Sequence, residues 1–239
     1  MSLDPRKAWP KEAAVACILL LAYFSANYGS SDRREVAMAH FRELASLEKQ
    51  LGIFVELDLQ RLILGTPLVG FVNVFYALFH SVIMLGFAVA LFVTGRDEYP
   101  YVRNLLLAFS LLSFLIYFLY PLAPPRIMDE YGFVDTLDQT PGVSYETGFL
   151  SGLMNLYAAM PSVHIGYSLI VGGYLYLKSK RLLLRLLGPI YPALMLFVVT
   201  SSANHLLIDC IVSVPLLLFT VLIIGKVDLP GRLARYLRR

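Results

Sequence analysis

Charge is what this sequence has least of. Asp, Glu, Lys and Arg make up 15% of its 239 residues, where an ordinary soluble domain carries about a quarter. That shortage excludes a solvated globular exterior and a disordered chain alike. Only two cysteines are present, Cys17 and Cys210, too few for a disulfide scaffold. Both stand in apolar tracts and read as small core residues. Internal repeats and low-complexity tracts are absent. What is abundant is apolar surface: 58% of the residues are hydrophobic and the mean hydropathy is +0.67. The formal charge of +3 is mildly basic, but the basic residues lie in short clusters between apolar tracts. A membrane topology places them there, which argues against a nucleic-acid partner.

A bilayer core asks for about 20 apolar residues per helix, and six windows of that kind can be drawn. They run over 13–28, 67–93, 104–120, 156–177, 182–200 and 204–224. The expected fold class is therefore all-α: a polytopic membrane protein of six transmembrane helices forming one domain over 1–239. The first window could be mistaken for a signal peptide, but no small-x-small cleavage site follows it. Between the first two windows, residues 33–64 place Val36, Phe41, Leu44, Leu47 and Leu51 at steps of three to five. That spacing predicts an amphipathic helix, lying on the membrane surface or packed on the protein itself. Residues 123–155 carry Pro124, Pro125, Pro141, Gly132, Gly142, Gly148 and Gly152. This segment is too broken to span and reads as an ordered loop or lid.

Six spans put both termini on one side, and most of the 20 Lys and Arg residues fall there. The termini are therefore expected in the cytoplasm. The 29–66 segment, the 123–155 loop and the 200–204 turn face outward, in a bacterial-type plasma membrane.

Ionisable groups at membrane depth are costly and mark function by default. His40 belongs to the amphipathic segment and reads as a surface residue. His80 lies mid-span, seven residues after Asn73 and on the same face, where a helix–helix hydrogen bond would explain it. His164 and His205 fall at outward helix ends. The run Ala159-Met160-Pro161-Ser162-Val163-His164 starts a helix with proline and serine, leaving N–H groups and the positive dipole end free for an anion. The run Asn204-His205-Leu206-Leu207-Ile208-Asp209 sets a carboxylate four residues from an imidazole. It can hold one ring nitrogen protonated and free the other as nucleophile or base. Arg126 follows Pro121-Leu122-Ala123-Pro124-Pro125 and presents a guanidinium suited to phosphate. Each also has a plainer explanation: His164 as a cap, His205 with Asp209 as a buried pair, Arg126 as an interfacial anchor. By the charge-derived topology, however, all four share the outward side. No metal-ligand spacing and no Gly-rich nucleotide loop is present. A Ser-His-Asp hydrolase built on Ser162 lacks the Gly-x-Ser-x-Gly elbow.

These residues carry a resemblance. Pro161-Ser162-Val163-His164 resembles the Pro-Ser-Gly-His motif, and His205 with Asp209 the His-x-x-x-Asp motif, of the type 2 phosphatidic acid phosphatase superfamily. The run Pro121 to Arg126 resembles the first motif of the branch containing inositol phosphorylceramide synthase, the aureobasidin-resistance family. Glu48 through Gln60, Asn73, Tyr76 and His80 also look like that branch, so the resemblance extends over roughly residues 45–225.

The resemblance implies a membrane enzyme working through a phosphohistidine, with no metal or other cofactor. His205 would attack the lipid phosphate, Asp209 would orient it, and His164 would protonate the leaving oxygen. Arg126 and the N–H groups around Ser162 would hold the phosphoryl oxygens. His80, Asn73 and Asn204 would stand behind these groups. Two departures are visible: Val198 and Val199 occupy the positions of the phosphatases' Ser-Arg pair, and Val163 that of the motif glycine. The partners implied are a membrane lipid substrate and, for transfer, a polyol acceptor such as inositol. A transporter or flippase, or a non-catalytic lipid-binding protein, is the alternative from another class; it calls for mid-membrane ionisable groups and repeated halves.

Overall fold

Apolar runs punctuated by proline and glycine set the helices of the computed structural model, which describes residues 9–18, 21, 33–140, 142, 143 and 155–236, with side chains to residue 225. The described secondary structure is helical, and one isolated parallel bridge joins Leu122 to Ala158. In chain order the helices are α1 (Arg34–Leu51), α2 (Glu56–Ile63), α3 (Leu68–Val93), α4 (Tyr99–Leu119), α5 (Val163–Lys178), α6 (Leu182–Ser201) and α7 (Leu207–Tyr236). Among the described residues four stretches are long and apolar enough to cross a bilayer: Leu68–Val93, Tyr99–Leu119, Leu182–Ser201 and Leu207–Gly225. Their exposed faces are apolar. Val82, Leu85 and Val89 on α3, and Leu218 and Leu222 on α7, are large and open to the surroundings, as lipid-facing side chains must be. These features fit an integral membrane protein.

Two of the six expected spans stand differently. Of the first, 13–28, residues 19–20 and 22–28 lie outside the described residues. Residues 9–18 are helical, and Glu12 there accepts from Tyr99 Oη at 2.8 Å and pairs with Arg103 on α4. Cys17, expected in a core, is exposed, whereas Cys210 is buried. The fourth expected span starts at Leu156, but α5 begins only at Val163. Pro161 and Ser162 end the extended run before it, and the remaining 16 residues extend about 24 Å.

α5 and α6 pack against each other along their length. A Cβ on Gly172 of α5 would stand 2.2 Å from the carbonyl oxygen of Gly188 on α6, and one on Gly166 would stand 2.1 Å from the Phe109 ring on α4. Such approaches require glycine and are a membrane-helix way of packing. Proline at 189 and 192 is accommodated inside α6, as neighbouring helices permit. α3 contains a π-helical stretch, Phe75–Phe79, which shifts the register between Asn73 and His80.

The segment 33–64 forms α1 and α2. The buried stripe of α1 is Ala37, Phe41, Ala45 and Glu48, while Val36, Leu47 and Leu51 are exposed. The helix therefore packs on the protein through one stripe and presents an apolar edge beside it. That stripe sits against Leu122, Ala123, Met128, Ala159, Ala203 and Leu206, which follow α4, precede α5, follow α6 and precede α7. α1 thus covers one end of the bundle. His40 is not a free surface residue: its Nδ1 lies 2.8 Å from the Pro121 carbonyl and its ring stacks on Tyr120 at 3.8 Å. Of the 123–155 loop, residues 141 and 144–154 lie outside the described residues. The rest is ordered through two 3-10 turns, Pro125–Ile127 and Asp129–Tyr131. It is held by Gln60, which donates to the Val134 carbonyl at 2.8 Å, and by Arg42 paired with Glu130 at 2.8 Å.

Candidate active site

The covered end of the bundle collects the polar residues. α5 starts there. Ser162 caps it, its Oγ accepting from the Ile165 N–H at 3.4 Å. The Ser162 N–H donates to the Asp209 carbonyl at 3.3 Å, Ser213 Oγ donates to the Ser162 carbonyl at 3.0 Å, and Tyr117 Oη donates to the Pro161 carbonyl at 2.8 Å. The start of α5 is therefore tied to α7 and α4. The next two N–H groups, of Val163 and His164, find no acceptor among the described residues.

α7 starts beside it in the opposite manner. The chain leaves α6 through Ala203 at φ 55°, a left-handed conformation that costs a non-glycine residue about 1–3 kcal/mol. Asn204 and His205 then donate their N–H groups to the Val199 carbonyl at 3.0 and 3.2 Å. The first helical N–H groups are all taken by acids. Leu206 donates to Asp209 Oδ2 at 2.9 Å, Leu207 to Glu56 Oε1 at 2.6 Å, and Ile208 to Glu48 Oε1 at 2.7 Å. The Asp209 contact is the reciprocal half of a capping box. Glu48 and Glu56 reach in from α1 and α2, and both are 0% exposed. Burial, and then the neighbouring Glu56 charge, pushes the Glu48 carboxyl up to about 8. Burial also raises Glu56, against the opposing pull of its N–H donors.

The histidines meet at this junction. His205 Nδ1 stands 3.5 Å from Asp209 Oδ2, just beyond a good hydrogen bond. The His164 and His205 rings are 5.8 Å apart and set edge to face. Tyr76 stacks on His164 at 4.3 Å, and the His80 ring lies 4.8 Å from His164, tilted against it. His80 also forms the expected helix–helix hydrogen bond, with Tyr191 Oη of α6 at 2.8 Å from its Nδ1.

Arg126 is the buried cation of the site. Its Nε donates to Asn204 Oδ1 at 3.1 Å, its backbone N–H to the Ala203 carbonyl at 2.7 Å, and its Nη1 pairs with Asp135. Asn204 in turn donates to Ser202 Oγ at 2.8 Å. A cleft of about 260 Å3, counting its open mouth, is lined by Arg126, Asn204, His205, Tyr76 and Pro124, with Asn155, Leu156, Ala158 and Ala159 closing it. Among the described residues no group of three His, Cys, Asp or Glu side chains is placed to hold a metal ion.

The chain matches the family model of the PAP2 superfamily over residues 42–223. It belongs to the PAP2 superfamily. Searches of curated proteins and of solved structures found no match. PAP2 membership suggests phosphatase-type activity, and the matched region contains every residue described in this cleft.

Of the residues singled out in the PAP2 sequence, His164, His205, Asp209, Arg126, Ser162, Asn204 and His80 converge at one place. Asn73 does not join them. Its amide donates to the Thr136 carbonyl and Thr140 Oγ1, each at 2.8 Å, and so anchors the loop. Sequence reasoning missed Glu48, Glu56, Asp135 and Tyr191 as neighbours of the site. For Glu48 a signal existed: it falls on the same helical stripe as Ala37, Phe41 and Ala45, where a solvated acid has no place.

Proposed function

We propose that this protein cleaves or transfers the phosphate-bearing head group of a membrane lipid through a phosphohistidine on His205. The observation that carries the reading is the meeting of two histidines, 5.8 Å apart, beside a buried guanidinium on a cleft that His205 itself lines. His205 Nε2 attacks phosphorus, and the bond to the leaving oxygen breaks. His164 gives that oxygen its proton, and Asp209 balances the charge growing on the His205 ring. Arg126 takes the phosphoryl oxygens bidentately as charge spreads over them. Water or an alcohol then attacks phosphorus, giving its proton to His164 as the phosphorus–nitrogen bond breaks and frees His205. No step requires a metal or cofactor.

Transfer to an alcohol, inositol included, is the finer reading. Its support is Val199, which stands where PAP2 phosphatases carry a second arginine and is fully buried, its carbonyl holding the His205 N–H. Arg126 is then the one guanidinium among the described residues lining the cleft. On the same reading residues 1–239 act as one domain of six spans, with cytoplasmic termini and the cleft at the outer head-group level, where a lipid can present its phosphate without leaving the bilayer.

The test is to incubate the purified protein and His205→Ala with a panel of lipid phosphates and phospholipids, with and without inositol, reading free phosphate and new lipids. Phosphate release or head-group exchange lost in the variant is expected. Turnover persisting in a folded His205→Ala protein removes His205 from the chemistry, and silence from both across the panel returns the transport and lipid-binding readings.

A further inference from the structure

We propose that Glu48 and Glu56 form a one-proton clamp on the first turn of α7 and, through it, position His205 and Asp209 for turnover. The inference rests on His205 being the nucleophile.

The two acids come from different helices and converge on adjacent N–H groups, Ile208 and Leu207. Neither has a basic partner within ion-pair distance among the described residues, and neither is exposed. Their second oxygens, Oε2 of each, meet no hydrogen-bond donor among the described residues, and Oδ1 of nearby Asp209 is in the same position. Three carboxylates left fully charged in such a place would be strongly disfavoured, because desolvation penalises each charge and no cation among the described residues offsets it. One proton changes the account, because a carboxyl of Glu48 can donate to Glu56 and leave a single charge on the pair. The groups facing the pair are Asp209 and Cys210 on α7 and, beyond Asp209, His205 just before that helix. The adjoining buried positions of α1, Phe41 and Ala45, are apolar.

This arrangement acts on the site through geometry. Asp209 is the third residue of α7 and His205 stands two residues before its first, so both depend on how the first turn is held. With the clamp closed, the first-turn N–H groups are satisfied and Asp209 stays within reach of the His205 ring. Loss of the second proton places two charges side by side next to Asp209 and opens the clamp. Turnover then falls through kcat, while the lipid, which touches neither glutamate, keeps its KM.

The test uses the protein in lipid nanodiscs and two variants. Glu48→Gln is a permanent copy of the one-proton state, since its Oε1 can accept from Ile208 and its Nε2 can donate to Glu56. Glu48→Leu has nearly the same bulk and no acceptor. Infrared difference spectra across pH 6 to 10 should show a protonated-carboxyl band in the unaltered protein that disappears near the Glu48 value of about 8, and no such band in Glu48→Gln. Kinetics should show kcat falling through the same pH in the unaltered protein and level in Glu48→Gln, with Glu48→Leu losing about 100-fold in kcat, the scale of a displacement of about 1 Å. An unaltered protein without the band, or a Glu48→Gln variant with the same band or the same alkaline fall, overturns the proposal. Where Glu48→Leu does not fold, Glu48→Gln decides alone. Should the unaltered protein turn over no lipid, the assignment of His205 fails, while the infrared result still decides whether the proton is there.

Discussion

The two helices that bring the histidines together begin in opposite ways. α5 begins open: a serine cap with a long bond of 3.4 Å, then two N–H groups with no acceptor among the described residues. α7 begins closed, the N–H groups of Leu206 just before it and of Leu207 and Ile208 being taken by Asp209, Glu56 and Glu48 at 2.6 to 2.9 Å. Both helices carry the same partial positive charge at that end, so dipole alone does not decide where a phosphate docks. Occupancy decides it. On the proposed function, a phosphate finds donors at α5 and at Arg126, while the acids at α7 exclude it there and hold the imidazole that is to strike it. On that reading one helix end is a receptor and the other a mount.

The sharpest way to break this contrast is Asp209→Asn. The asparagine oxygen can still accept the Leu206 N–H, so the cap and the fold survive. What changes is the partner of His205 Nδ1, where an amide cannot balance the charge that develops on the ring. A loss of about 10⁴ in kcat is expected, by analogy with the same change in a serine-protease triad, with little change in melting temperature. Should activity hold, Asp209 is a cap and nothing more, and the closed end of α7 is structural throughout.

Much of this division is legible in the sequence, and what is not has physical causes. Pro161-Ser162 announces the start of α5, because proline and a hydroxyl cap suit the first turn. The four-residue step from His205 to Asp209 announces their proximity. The span beginning at Leu156 was misplaced because apolar periodicity does not register an extended segment; residues 156–158 are pulled out of helix by the bridge from Leu122 to Ala158. The resemblance puts Asn73 behind the site, and a straight seven-residue count puts it on the face of His80, a register that the π-helical stretch at 75–79 interrupts. Glu48 and Glu56 were not read as site residues because their partners are backbone N–H groups more than 150 residues away, and a bond to a main chain leaves no trace in side-chain pattern. Asp135 is hidden for a related reason: its ion pair with Arg126 is fixed by loop turns whose closure depends on Gln60 and Asn73.

The receptor side is probed by Arg126→Lys. A lysine keeps the charge but loses the fork, including the Nε–H bond to Asn204 at 3.1 Å and the bidentate face offered to phosphate. The expected result is a fall of about 10- to 100-fold in kcat/KM, the scale of one or two lost charge-assisted hydrogen bonds, with the protein remaining folded. The same substitution sharpens the comparison, because the α7 mount does not involve Arg126. The kcat fall near pH 8 should therefore persist in Arg126→Lys, shifted in neither direction. Rates and affinity unchanged from the unaltered protein would take Arg126 out of the site and leave the open N–H groups of α5 as the only receptor.

Ser162→Ala asks whether the open end owes anything to its cap. An N-cap serine is worth about 0.5–2 kcal/mol, and a bond of 3.4 Å places this one at the low end. The other ties at the start of α5 run through the backbone of Pro161 and Ser162, to Tyr117, Ser213 and Asp209, and alanine keeps them all. The melting temperature should therefore drop only slightly, and turnover should stay within a few-fold. The smallness is itself informative, since it would mean that α5 is positioned by its neighbours and that its N–H groups are available to an anion whether or not the hydroxyl is there. A loss as large as that of Arg126→Lys would show instead that Ser162 Oγ touches the phosphate, making α5 a receptor through a side chain and not through its helix end.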